Sequence, residues 1–281
     1  MSEEYEPHVK IRKMDKIDVI PILAPNLTSL SVETTTFVAL KLEDKRIIGN
    51  IVKSLKELPE NLRHLKRVGN NGQVLIAGTF EEAQNLIKIF DTNLGITSDD
   101  LEEVIVPSFK PISRGQFSAA KLIWPTGFHP DKSLENLLDG SFKTCQLIEY
   151  TSKWSQEVET KQCIAVQNEE YLCDGSSMAG PLRHSIMEMV GKMPKREKSS
   201  ENYLGTGCDV FLRDEPCAMC AMALVHFRVK RVFYNRKSKN GVLSGEGWQL
   251  HLEPSINHHY EVYRIDHPNW NNHKPSICGC T

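Results

Sequence analysis

The chain has 281 residues, of which 40% are hydrophobic and 25% charged, with a formal net charge of −2. This balance suits a chain that buries real cores, at a length that favours two compact units, and it excludes a global field drawing the molecule onto nucleic acid or acidic lipid. No apolar run approaches the roughly 18 residues of a membrane span, and "MSEEYEPHVKIRKMDK" lacks the apolar core of a secretory signal. The expectation is therefore a cytoplasmic and nuclear protein with no membrane partner, whose eight cysteines serve as metal ligands or buried thiols rather than disulfides.

Residues 1–30 read as an N-terminal tail. Over 31–110, "VETTTFVALKL" is rich in β-branched residues and predicts a strand. "DKRIIGNIVKSLKEL" follows with Asp44 as N-cap and Ile47, Ile48, Ile51, Leu55 and Leu58 at helical spacing. "HLKRVGN" and "QVLIAG" flank Asn71-Gly72, a hairpin signal. "TFEEAQNLIKIFDTNLG" opens on Thr79 with Glu82 in capping-box position and stops at Gly95. With "LEEVIVPSF" as a final strand, the order β-α-β-β-α-β predicts an α+β ferredoxin-like domain. Residues 111–131, rich in proline and glycine, read as a linker.

A second domain is expected over 132–281. It begins with a helix over 132–156 and strands "QCIAVQN" and "EYLCDG", then a helix opened by His184 in "PLRHSIMEM". A charged insertion, "GKMPKREKSSENYLGTG", leads to strand "CDVFLR", helix "PCAMCAMALVHF" and strand "KRVFYN", which implies a parallel crossover. "YEVYRI" adds a last strand.

Cys217 and Cys220 are three apart behind Pro216, which suits the first turn of a helix. The unpaired N–H groups there favour thiolates and so Zn²⁺. His184 supplies a third ligand of a His/Cys/Cys set; the competing interpretation of the cysteine pair is a redox CxxC. The zinc deaminase signature is His-x-Glu followed downstream by Pro-Cys-x-x-Cys, with the glutamate as general acid–base and not a ligand. Every ligand position is met, but Ile186 occupies the glutamate position.

"DVFLRDEPCAMCAMALVHFRVKRVFYN" resembles the second ligand helix and flanking strands of the adenosine deaminases that act on tRNA, and "INHHYEV" resembles the Asn-His segment late in that fold. The likeness spans roughly 150–265 and implies an α/β cytidine-deaminase-like α/β/α sandwich. Within the family, "HSI" resembles the "HSV" of the non-catalytic subunit of the eukaryotic enzyme that converts adenosine 34 of tRNA to inosine. "LRHLKRV" and Trp124-Pro125 resemble that subunit's N-terminal extension. The resemblance implies one structural zinc, no catalytic residue, and two partners: tRNA and a catalytic deaminase subunit carrying His-x-Glu in a heterodimer.

Removing the glutamate removes the proton shuttle, worth roughly 10²–10⁴ in rate. Glu188, one turn beyond His184, is the alternative acid–base of a self-sufficient nucleoside or nucleotide deaminase. A third reading is a zinc-stabilised RNA-binding protein. In "DGSSMAGPLRH" only Ser176 and Ser177 stand where active relatives place a base-holding asparagine. At the end of the chain Cys278 or Cys280 offers a fourth ligand, or else two idle thiols in a frayed tail. Arg63, Lys66 and Arg67, and Lys195, Arg196 and Lys198 in the insertion, are candidate RNA contacts or plain solvated faces, and a third basic run extends from Arg228 to Lys239.

Overall fold

The computed structural model describes residues 17–89, 96–180, 182–193, 204–244 and 248–267. The chain divides into an N-terminal unit, Pro25–Gly140, and a C-terminal unit formed by Met1–Ala24 with Ser141–Thr281. The division differs from the 1–30, 31–110, 111–131 and 132–281 expected from sequence. The supposed linker carries a helix of the N-terminal unit, 132–140 stay with that unit, and a strand from the supposed tail joins the C-terminal sheet. Among the described residues no helix is long and apolar enough to cross a membrane.

The C-terminal unit contains β1 (Asp18–Pro21), and the N-terminal unit opens on the single turn α1 (Pro25–Thr28). Three antiparallel strands follow, β2 (Thr34–Lys41), β3 (Gln73–Ala77) and β4 (Leu101–Pro107), in the order β3-β2-β4. Because side chains alternate across a strand, both faces of this short sheet are buried. Val38, Leu40 and Val74 pack with Ile51 of α2 (Ile48–Ser54) and Ala83 of α3 (Phe80–Ile87). Phe37, Ala39, Leu75 and Val106 pack on the other side with Leu62, Leu65 and Trp124. Thr79 caps α3 as expected, accepting the Glu82 N–H at 3.3 Å. Asp44 does not cap α2: its carboxylate is taken by the backbone and guanidinium of Arg46, and Ile47 is the N-cap. The expected stop at Gly95 lies outside the described residues.

The predicted strand over 64–70 is not a regular one, so the ferredoxin-like order lacks one of its four strands. Its hairpin with β3 survives: Val68 bridges Val74, the Gly69 N–H donates to Gln73 O at 2.8 Å, and Gly72 takes φ 81° in the turn. On its other side Leu65 bridges Thr126, the Lys66 N–H reaches Pro125 O at 2.8 Å, and the Trp124 indole N–H donates to Lys66 O at 2.8 Å. A Cβ on Gly69 would lie 2.7 Å from the Trp124 ring, so the indole needs glycine there. "LRHLKRV" and Trp124-Pro125, distant in sequence, thus form one packed unit. Trp124 directly follows α4 (Arg114–Ile123), and α5 (Lys132–Asp139) ends this unit.

The single helix expected over 132–156 is two. Gly140 takes φ 81° and ends α5, and Thr144 caps α6 (Cys145–Lys161) by accepting the Leu147 N–H. The C-terminal sheet is six-stranded, β1-β9-β8-β7-β5-β6, with β5 (Cys163–Gln167), β6 (Glu170–Gly175), β7 (Asp209–Asp214), β8 (Arg231–Arg236) and β9 (Glu261–Asp266). β7, β8 and β9 are parallel, and the segment between β7 and β8 carries α8 (Ala218–Phe227), as the crossover expectation required. One face stacks Phe211, Phe233 and Tyr263 at centroid distances of 4.7 and 5.1 Å, with Trp154 of α6 beside Phe211. The other buries Cys163, Ala165, Val210, Leu212 and Val232 against α7 (Ser185–Lys192) and α8. This is a three-layer α/β/α sandwich, with α6 on one face of the sheet and α7 and α8 on the other.

Candidate metal centre

Two helix N-termini meet on the α7/α8 face. His184 is the N-cap of α7 and Cys217 the N-cap of α8, and neither side chain makes the usual capping hydrogen bond. Cys217 therefore precedes the helix that the sequence placed from Pro216 onward, and Cys220 lies in its first turn. The close approach of α7 to the sheet depends on Gly175, where a Cβ would sit 2.0 Å from Ser185 O and 2.8 Å from Met189 N.

His184 Nδ1 lies 3.3 Å from Cys220 Sγ and 3.6 Å from Cys217 Sγ, and the three ligand atoms are all within 4.8 Å of one another. All three residues are buried. Tetrahedral zinc with Zn–S of about 2.3 Å and Zn–N of about 2.0–2.1 Å separates nitrogen from sulfur by about 3.5 Å, so the donor set fits that ion. Two soft thiols, one imidazole and two converging helix N-termini match its preference. Cys278 and Cys280 lie outside the described residues.

Ile186 is 2% exposed, in the core cluster that also holds Met189, Cys217, Cys220 and Leu224. Among the described residues no carboxylate joins the His/Cys/Cys group. Glu188 is engaged at the surface, 2.8 Å from Arg183 Nε, and the hydrogen bond from that guanidinium holds its carboxyl below the usual range. A proton shuttle requires a pKa raised toward neutrality, which is the opposite direction. In the loop before His184 the Ser177 N–H donates to Gln162 Oε1 at 2.8 Å, and the Ser176 hydroxyl to Lys161 O at 3.4 Å. Met178 and Leu182 are exposed.

Sequence reasoning passed over Glu215, immediately before Pro216. It is 2% exposed, yet its carboxylate accepts the N–H groups of Leu243 at 2.8 Å, Ser244 at 2.7 Å and Ser238 at 3.4 Å. An acidic residue wedged between an apolar strand and Pro-Cys was the available signal. The Asn-His segment behaves as a brace: His258 Nε2 is 2.7 Å from Val229 O, His259 Nδ1 is 2.9 Å from His251 O, and the Tyr260 hydroxyl donates to Ala221 O of α8.

The basic residues fare unequally. Lys66 is exposed, and Arg63 is exposed beside Glu57. Arg67 turns inward, donating to Leu75 O at 2.9 Å and to Lys56 O, so its guanidinium holds backbone. Lys195, Arg196 and Lys198 lie outside the described residues. The third run is split by the fold. Arg231 is bound to Asp209 and Arg236 to Glu159. Arg228 and Lys230 precede β8, at the end of the sheet opposite Cys217, and Lys237 and Lys239 follow it at the metal end.

No family model matches the chain. Among curated proteins, the probable inactive tRNA-specific adenosine deaminase-like protein 3 of Mus musculus is 31% identical over 57% of this chain and 60% of its own length. The chain thus spans less than two thirds of the mammalian relatives it matches. The Danio rerio protein of the same name is 28% identical over 92% of this chain and 96% of that protein. The tRNA-specific adenosine deaminase subunit tad3 of Schizosaccharomyces pombe is 26% identical over 78% of each. A solved structure from studies of A-to-I editing by tRNA:A34 deaminases aligns over 42% of this chain and 96% of the other, at 17% identity and a TM-score of 0.32. The chain is thus similar in sequence to eukaryotic proteins named probable inactive tRNA-specific adenosine deaminase-like protein 3 and tRNA-specific adenosine deaminase subunit tad3.

Proposed function

We propose that this chain is the catalytically silent subunit of a heterodimeric tRNA deaminase that converts adenosine 34 to inosine, and that it works in the cytoplasm and nucleus. Its partner is a deaminase subunit bearing His-x-Glu, which performs the hydrolysis. The observation that carries the proposal is the pairing of an intact ligand set, His184, Cys217 and Cys220, with a buried hydrocarbon at Ile186. Bound zinc would cross-link the N-termini of α7 and α8 and add folding free energy. Ile186 supports that closed role by packing against the core, where it neither accepts nor donates a proton. Glu188, held by Arg183, is in the wrong state for a substitute, which disfavours a self-sufficient deaminase. Exposed Arg63 and Lys66, with Lys195, Arg196 and Lys198 of the insertion, contribute salt-sensitive phosphate contacts.

The test is expression of the chain alone and with a His-x-Glu subunit, followed by measurement of zinc content and of inosine at position 34. Zinc binding without deamination by the single chain, and inosine only from the pair, is expected. Deamination by the chain alone would overturn the proposal. Recovery from cells with RNA but no deaminase subunit would replace it with the RNA-binding reading.

A further inference from the structure

Among the described residues no basic side chain contacts the buried carboxylate of Glu215, which lies two residues before a metal ligand. Among the described residues it accepts hydrogen bonds from three backbone N–H groups of the segment 238–244, two of them converging on one oxygen. That segment is tied to the same junction once more, and so is the end of β8 just before it. The Val242 N–H donates to Pro216 O at 3.2 Å, and the Glu215 N–H donates to Arg236 O at 2.8 Å. Leu243, with no exposed surface, packs in the core cluster that holds Cys217 and Cys220. Gly241 is required by the arrangement, since a Cβ there would lie 2.2 Å from the Glu215 carboxyl carbon.

We propose that Glu215 is a positioning residue for the metal centre: by clamping the segment 238–244 onto the turn Glu215-Pro216-Cys217, it presets the Cys217 thiol before metal arrives. This inference rests on the zinc reading of His184, Cys217 and Cys220. The physical reason is that Cys217 is an N-cap in extended conformation, φ −73° and ψ 171°, so the path of its backbone depends on the turn Glu215-Pro216 before it as well as on α8 after it. Those two residues are held by the clamp. An ion that must order its ligands binds more weakly by the cost of that ordering.

The experiment uses the full chain and measures zinc affinity by chelator competition, the Co²⁺ thiolate charge-transfer spectrum, and thermal unfolding of the metal-free protein. Glu215→Ala is expected to weaken zinc binding about 10-fold or more, in the range found when outer groups that orient ligands are lost. Glu215→Gln keeps one carbonyl oxygen for Leu243 and Ser244 and should recover most of that loss. Gly241→Ala disturbs the same clamp from the opposite side and carries the test if Glu215→Ala fails to fold. Val262→Ala, a buried truncation on β9, controls for stability alone. The proposal is overturned if Glu215→Ala and Gly241→Ala lower the unfolding temperature as Val262→Ala does and leave zinc affinity and the Co²⁺ spectrum unchanged. Failure of the parent chain itself to bind zinc would instead refute the metal reading.

Discussion

Replacing Ile186 by glutamate restores the deaminase signature on paper, and the structure argues that it restores nothing else. The side chain is 2% exposed, among Met189, Cys220 and Leu224. Removing it forfeits about 1.5–3 kcal/mol of apolar burial. A carboxyl group left there without a hydrogen-bond partner costs about 1–3 kcal/mol more. Together the two correspond to about 2.5–6 kcal/mol, a fall in unfolding temperature on the order of 10 °C for a unit of this size. Ile186→Val, which keeps the shape, should cost only about 0.5–1.5 kcal/mol. Calorimetry of the three zinc-loaded proteins measures this, and a coupled ammonia assay with adenosine 34 tRNA measures activity. The isolated Ile186→Glu chain is expected to be destabilised and inactive, because the loop at Ser176 and Ser177 still has no base-holding asparagine. An unchanged unfolding temperature would refute the packing argument, and ammonia release would refute the proposal that the loss at 186 is compounded by the altered loop.

Gly175→Ala should drive α7 from β6 and carry His184 with it, since the new methyl would meet Ser185 O at 2.0 Å. Reduced stability and weaker zinc affinity together are expected, and retained zinc affinity would show that His184 is placed by other contacts. Burial lowers the pKa of His251 to about 4 from an ordinary 6.5, with Nε2 on Ile22 O at 3.2 Å. The unfolded chain therefore takes up the proton first, so stability is full above about 6.5 and falls as pH drops toward about 4, by up to about 3 kcal/mol. In urea titrations His251→Phe should flatten that decline relative to the parent, and an identical slope would reject the assignment. Lys66→Ala should leave the unfolding temperature unchanged and lower the salt slope of tRNA binding by about 0.7–0.9. Arg67→Ala should do the reverse, destabilising the N-terminal unit through the lost bonds to Leu75 O and Lys56 O; equal effects of the two on RNA binding would contradict the inward placement of Arg67.

Much of the C-terminal unit was legible because its signals are local. Pro216 before Cys217 and Cys220 marked a strand-to-helix junction, and short apolar runs marked β5, β7 and β8. Asp44 was misread as a cap because Arg46, two residues away, competes for its carboxylate. The strand expected over 64–70 was misjudged because one of its sides pairs with Pro125 and Thr126, a partner nearly sixty residues distant that no periodicity reveals. The stop at Gly140 was passed over because the helical spacing of apolar residues continues across it.

The sequence by itself determined which atoms can bind metal and which acid is missing, since both are matters of residue identity at fixed short spacing. Only the tertiary structure decided that the atoms converge within 4.8 Å, that Ile186 is sealed in the core, that Glu188 is held by Arg183, and that Glu215 grips a segment more than twenty residues further on. Apart from the Arg183–Glu188 pair, five residues apart, those outcomes depend on packing and on hydrogen bonds closed between distant parts of the chain, whose partners the local order of residues does not name.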